Sequence, residues 1–135
     1  MKRRIFLDAS FWIAWRDDDD LRHARAATLL DEIEKLRAGF VSSTLVFAEV
    51  HAHFSREPEA REKIIADFWE NPLMQLEIPT YADHRAAVEL LRGYDDKEFS
   101  FCDALSFVIM RRLKIIEAAA LDDHFHQIGE FKVWN

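Results

Sequence analysis

The chain has 135 residues, half of them hydrophobic and 32% charged, with a formal net charge of -7; this is the size and balance of one globular domain, residues 1–135, around one hydrophobic core. Three glycines and three prolines leave no room for a long linker, and the acid excess excludes a protein that grips nucleic acid by a broad basic surface of its own. The single cysteine, Cys102, excludes an intrachain disulfide, and no apolar run approaches the roughly 18 residues needed to span a bilayer, so a cytoplasmic, non-membrane protein is expected.

Met1-Lys2-Arg3-Arg4 followed by apolar residues has the opening of a secretory leader. Asp8 interrupts the apolar run, and Asp17-Asp18-Asp19-Asp20 stands where a small-residue cleavage site belongs, which argues against that reading. Arg4 to Leu7 is instead expected to be a buried strand ending at Asp8, with Ser10 capping a helix that starts at Phe11. The four aspartates read as a solvated turn. From Leu21, apolar residues at Ala26, Leu29, Leu30, Ile33 and Leu36 recur at helical spacing, and Gly39 is expected to end that helix.

Phe40-Val41-Ser42 reads as a second strand, with Ser43 or Thr44 capping a helix that carries Glu49. Pro58 sits at the first turn of another helix, where its missing N–H costs nothing, and Asn71-Pro72 stops it. Met74 to Ile78 alternates and reads as a strand near a sheet edge. Thr80 caps the next helix and Gly93 ends it. Tyr94 to Phe99 is a polar connection. Ser100-Phe101-Cys102-Asp103 has the form of a capping box, and its helix runs to Arg111-Arg112, basic residues suited to a helix C-terminus that points away from Asp103. Glu117 to Leu121 is a short strand reaching Asp122-Asp123. A helical turn from His124 is broken by Gly129, and Phe131 to Trp134 is a last strand.

Strands alternating with helices predict an α/β fold with a mainly parallel central sheet and helices on both faces. In such sheets ligands bind beyond the carboxyl ends of the strands, at a reversal of strand order. Asp8 and Asp122 fall at strand C-terminal ends and Asp103 in the first turn of a helix. Glu49, about two turns into its helix, comes within reach if that helix leans over the site. Two carboxylates ~5 Å apart repel by about 3 kcal/mol at an effective dielectric near 20, so a cluster of four requires shared protons or a cation. An all-oxygen donor set suits Mg²⁺ or Mn²⁺ over Zn²⁺, and a hard cation among acids suits phosphodiester hydrolysis.

Four segments then carry a resemblance: Phe6-Leu7-Asp8-Ala9-Ser10; Val41-Ser42-Ser43 leading to Ala48-Glu49-Val50; Phe99-Ser100-Phe101-Cys102-Asp103-Ala104-Leu105-Ser106; and Ala119-Ala120-Leu121-Asp122-Asp123-His124-Phe125. In this order and spacing, across essentially the whole chain, they resemble the PIN-domain ribonucleases, in particular the VapC-type toxins of toxin–antitoxin pairs. The resemblance implies a PIN-like three-layer α/β/α fold and a metal-dependent endoribonuclease that cuts RNA by metal-assisted water attack. It implies Asp8, Glu49, Asp103 and Asp122 as metal-binding acids, Ser10 as a polar support, a homodimer and a cognate antitoxin. The chain departs from the pattern at Ala120, where the family usually has Thr or Ser. Asp122 is aligned with the last acid because His124-Phe125 then fall in register; Asp123 is the alternative.

Other features have plainer readings. Cys102 reads as a small core residue, since no His or Asn pattern supports a thiol enzyme. His51 and His53, like His124 and His126, are two apart and do not share a helix face, so they read as surface or local hydrogen-bonding residues. Arg22, Arg25 and Lys97 flank loops and are candidate contacts to RNA phosphates. Trp12, Trp15, Phe47, Phe54 and Trp69 are candidate partner-surface aromatics, with core the plainer role for each. Two rival functions stand beside the nuclease. One is a non-catalytic PIN-like binding module. The other is a phosphotransferase with Asp8 as covalent nucleophile, although Ser10 occupies the place where such families usually want a second acid.

Overall fold

The computed structural model describes residues 2–135; Met1, which precedes the basic Lys2-Arg3-Arg4, lies outside them. Among the described residues five strands, Arg4–Leu7 (β1), Gly39–Ser43 (β2), Met74–Glu77 (β3), Glu117–Ala119 (β4) and Lys132–Trp134 (β5), form one parallel sheet in the order β3-β2-β1-β4-β5, and seven helices connect and cover them in a three-layer α/β/α fold. No described helix is long and apolar enough to cross a membrane.

Strand β1 (Arg4–Leu7) is central because Ile5, Phe6 and Leu7 are buried on both faces. Helix α1 (Ala9–Arg16) follows without a loop. It begins earlier than the sequence suggests: Asp8, not Ser10, is the N-cap, its carboxylate accepting from the Ser10 amide. Helix α2 (His23–Lys35) is likewise not ended by Gly39, which is the first residue of β2 (Gly39–Ser43). Arg37, at φ 53, makes the left-handed turn instead.

Ser43 caps α3 (Thr44–His53) by accepting from the Val46 amide, and α4 (Pro58–Trp69) starts on its proline. Strand β3 (Met74–Glu77) is the half-buried edge expected from its alternation. Thr80 and Ser100 each form a full capping box, with Asp83 and Asp103, and so fix the starts of α5 (Tyr81–Gly93) and α6 (Phe101–Leu113). Gly93 is the last residue of α5 and Tyr94 its cap. Strand β4 (Glu117–Ala119) stops two residues short of the expected end, α7 (His124–Ile128) closes on Gly129 at φ 74, and β5 (Lys132–Trp134) forms the other edge.

The reversal of strand order lies between β1 and β4: the chain winds outward from β1 to β2 and β3, then returns to β4 and β5. Phe125 fills the space below that point, stacked on Phe6 at 6.4 Å and edge-on to Phe107 at 4.9 Å. It is fully buried and so anchors α7 to β1 and α6. At the opposite end of the sheet the Glu117 carboxylate accepts two 2.7 Å hydrogen bonds from Arg3, with Trp134 Nε1 at 3.2 Å. Of the aromatic candidates for partner surface, Trp12 and Phe54 are buried core and Trp15 and Phe47 pack against it. Trp69 is 52% exposed.

Candidate active site

Asp8 is carried to the β1/β4 switch as the residue that follows β1, whose Leu7 is paired with Ala119. Its amide donates to the Ala119 carbonyl at 3.0 Å, so it sits beside the end of β4. Its carboxylate is buried, and Oδ2 accepts from the Ser10 hydroxyl at 2.6 Å and the Ser10 amide at 3.2 Å. That hydroxyl in turn accepts from the Leu121 amide at 2.9 Å. Here lies the reason β4 ends early: Leu121 spends its amide on Ser10 rather than on the sheet, and the chain leaves the ladder facing Asp8.

Asp103 is brought in by the capping box of α6. Its Oδ2 accepts from the Ser100 amide at 2.9 Å, which fixes the carboxylate at a helix N-terminus, where the macrodipole favours an anion. Asp122 follows β4, with its Oδ1 accepting from the His124 amide at 3.2 Å. Asp123 is exposed, so of the two adjacent acids it is Asp122 that faces the others. Glu49 lies on the outward side of α3; the residue is exposed overall, but its carboxylate is partly covered and close enough to Cys102, Asp103 and Asp122 to feel them.

The acids perturb one another. Burial first, then Asp122 and Asp103, push the Asp8 carboxyl up to about 7 against the opposing hydrogen bonds of Ser10. Glu49 is raised by burial, with Asp103 and Asp122 adding to it and Cys102 opposing. Asp122 is raised by burial and by Asp103, with His124 and Arg22 opposing. The buried Cys102 thiol is pushed far above its ordinary value by burial and then by Glu49, Asp8 and Asp103, which keeps it protonated and inert as a nucleophile.

A residue the sequence reading set aside completes the group. The His124 Nδ1 lies 2.6 Å from Asp103 Oδ2 and 3.9 Å from Asp122 Oδ2. The spacing of His124 and His126 gave no signal; its place one residue before the buried Phe125 and two after Asp122 was the clue. Asp103, Asp122 and His124 can each offer one ligand atom such that all three lie within 4.8 Å. Mutually raised carboxyls and a ready donor set both fit a divalent cation, whose charge would remove the repulsion.

The three basic candidates differ. Arg22 donates to the Leu121 carbonyl at 3.1 Å and helps hold the Asp122 carboxyl down, so it stands at the rim. Arg25 is turned to the Asn135 carbonyl at 2.7 Å, and Lys97 lies 3.8 Å from Asp96. Arg111 and Arg112 are occupied by Glu130 and Asp83 at the far end of α6.

Known proteins bear on this arrangement. Residues 5–131 match the PIN domain family. The chain is 31% identical over 130 residues to a Mycobacterium tuberculosis protein named 23S rRNA-specific endonuclease VapC20, covering 96% of this chain and 97% of that one. The crystal structure of M. tuberculosis VapC20, described as a sarcin-ricin loop cleaving toxin, superimposes with a TM-score of 0.86 at 30% identity, over 97% of this chain and 99% of the other. A toxin–antitoxin complex from Klebsiella pneumoniae has the same fold, with a TM-score of 0.70 at 12% identity over 97% of this chain and 96% of its own.

Proposed function

This chain belongs to the PIN-domain family, and from that premise we propose that it is a divalent-cation-dependent endoribonuclease, the toxin of a toxin–antitoxin pair. What supports the reading is the ligand group that includes Asp103 and Asp122, with the buried Asp8 near enough to be raised by both, in a chain alike, end to end, to an rRNA endonuclease. Structured ribosomal RNA is accordingly the first substrate to test. We assign Asp8, Asp103 and Asp122 as the cation-holding acids, Glu49 as the fourth from the rim, and Ser10 as the support that orients Asp8. A bound Mg²⁺ or Mn²⁺ supplies Lewis acidity at a phosphoryl oxygen and lowers the pKa of water.

The chain's own residues do the rest. Ser10 fixes which oxygen of Asp8 faces the cluster, because Oδ2 is held by both its hydroxyl and its amide. The start of α6 holds Asp103 in place through Ser100. Arg22, with Arg25 and Lys97 further out, contacts RNA phosphates around an otherwise acidic centre. A cytoplasmic homodimer, with an antitoxin that covers the site, completes the proposal.

The test is cleavage of a mixed RNA pool and of 23S rRNA by the partner-free protein, with Mg²⁺, with Mn²⁺ and with chelator. Asp8→Asn and Asp103→Asn proteins of confirmed fold run alongside. Cation-dependent cleavage lost in both variants is the expected outcome. Equal behaviour of all three proteins on every RNA would overturn the nuclease and favour the binding module.

A further inference from the structure

We infer that His124 is a direct nitrogen ligand of the cation held by Asp103 and Asp122, and that this imidazole tilts the site toward first-row transition cations such as Mn²⁺ and Co²⁺ and away from Mg²⁺. The inference rests on the cation-dependent reading above and adds selectivity to it. Three observations carry it. First, Nδ1 is close to both acids, 2.6 Å from one and 3.9 Å from the other. Second, Nδ1 is shut off from solvent yet has no hydrogen-bond partner, because the short approach to Asp103 is not aligned as an N–H···O bond. A buried polar nitrogen without a partner is costly, and a ligand role accounts for its retention. An ion pair built for its own sake would present an aligned donor at that distance.

Third, the ring is held in place. Phe99 lies edge-on to it at 5.9 Å, the His124 amide is bonded to Asp122, and the next residue, Phe125, is locked in the core. An imidazole fixed in this way is preorganised as a ligand. The chemistry then sets the preference. Mg²⁺ favours oxygen donors and gives up its waters reluctantly, whereas a first-row transition cation gains from exchanging one oxygen for an imidazole nitrogen.

The experiment loads the full-length protein with Mn²⁺ and reads nitrogen-14 coupling by pulsed EPR. Competition titrations of Mn²⁺, Co²⁺ and Mg²⁺ accompany it. His124→Ala and His124→Gln, of confirmed fold, are compared with wild type, and Asp103→Asn is the control for loss of the whole site. Wild type is expected to show the coupling and both His124 variants to lack it. In those variants affinity for Mn²⁺ and Co²⁺ falls roughly tenfold or more, while affinity for Mg²⁺ moves less than about twofold. Bound Mn²⁺ without nitrogen coupling, or an equal loss for all three cations, overturns the ligand role and leaves the acidic site standing. A wild-type protein that binds no Mn²⁺ at all overturns both readings together.

Discussion

The Ser10 hydroxyl ties Asp8 to the end of the neighbouring strand, donating to the Asp8 carboxylate at 2.6 Å while accepting from the Leu121 amide at 2.9 Å. One side chain therefore sets both the orientation of the first acid and the point at which β4 leaves the sheet toward Asp122. Ser10→Ala removes both bonds. Stability is expected to fall by about 1–2 kcal/mol, since the Leu121 amide loses its partner. Cleavage is expected to fall roughly 10- to 100-fold, as for other groups that orient cation ligands. Ser10→Thr keeps the hydroxyl and is expected to restore most of the activity; thermal melts and cleavage rates of the two variants check this.

Asp8 makes the cation-free protein sensitive to pH in the direction opposite to most acids. Its folded carboxyl stands near 7 against an ordinary 3.8, so between those values the folded state holds a proton that the unfolded state has released. Its contribution is complete below pH 3.8 and is lost as pH rises through 7, amounting at full ionisation to about 4 kcal/mol at most. In chelator, Asp8→Asn is expected to melt higher than wild type at pH 8, with the gap closing toward pH 5. Saturating Mn²⁺ at pH 8 raises the wild-type melting temperature and leaves that of the variant nearly unchanged. A wild-type melting temperature that is flat from pH 5 to pH 8 in chelator would contradict this.

The alternation of strands and helices, the capping box at Ser100, the cap at Thr80 and the proline start of α4 were readable because each is a local signal of spacing or residue type. Asp8, Asp103 and Asp122 could be singled out for the same reason: Asp8 and Asp122 come just after short apolar strands, and Asp103 stands in the first turn of an apolar helix. What escaped was decided by distant partners. Ser10 was expected to cap α1, but its hydroxyl is claimed by Asp8 and by an amide 111 residues away, so the helix starts on Asp8 instead. Gly39 suggested a helix end, yet Arg37 takes the left-handed turn and the glycine enters β2. His124 looked like surface because helical spacing is silent about a ring held against another helix. Cys102 is buried as expected, but it lies near enough to Glu49 on α3 for each to shift the other, a proximity that no local pattern encodes.

Asp83 holds the other end of α6. Its two oxygens each accept a 2.9 Å hydrogen bond from Arg112, and the same guanidinium lies 3.5 Å from Glu77 on the edge strand. Burial pushes the Asp83 carboxyl up, but Arg112 and Thr80 together outweigh it and leave it below the ordinary 3.8. This contribution is present above pH 3.8 and is lost as pH falls through the lower folded value. Arg112 is partly open to solvent, so Asp83→Asn is expected to cost only about 1–2 kcal/mol at pH 7, a drop of roughly 3–10 °C in Tm. Melts from pH 7 downward check it: the gap from wild type narrows in acid, and RNA cleavage at pH 7 is unaffected.

Arg22 is the one basic candidate that both reaches the end of β4 and acts on a site carboxylate, through its bond to the Leu121 carbonyl and its pull on Asp122. A cation there faces RNA phosphates entering the acidic centre, where electrostatic contact sets affinity rather than sequence choice. Arg22→Ala is expected to raise KM while leaving kcat within a few-fold, and to reduce the salt slope of RNA binding by about 1. Arg25→Ala removes a guanidinium already turned to the chain's end and to Glu32, and is expected to change KM much less. Binding of a non-cleaved RNA to the Asp103→Asn protein, with and without each arginine and over a range of salt, separates the two. Equal effects of the two substitutions would assign the contact to the general field of the surface, and a fall in kcat with unchanged KM would assign Arg22 to the setting of Asp122 instead.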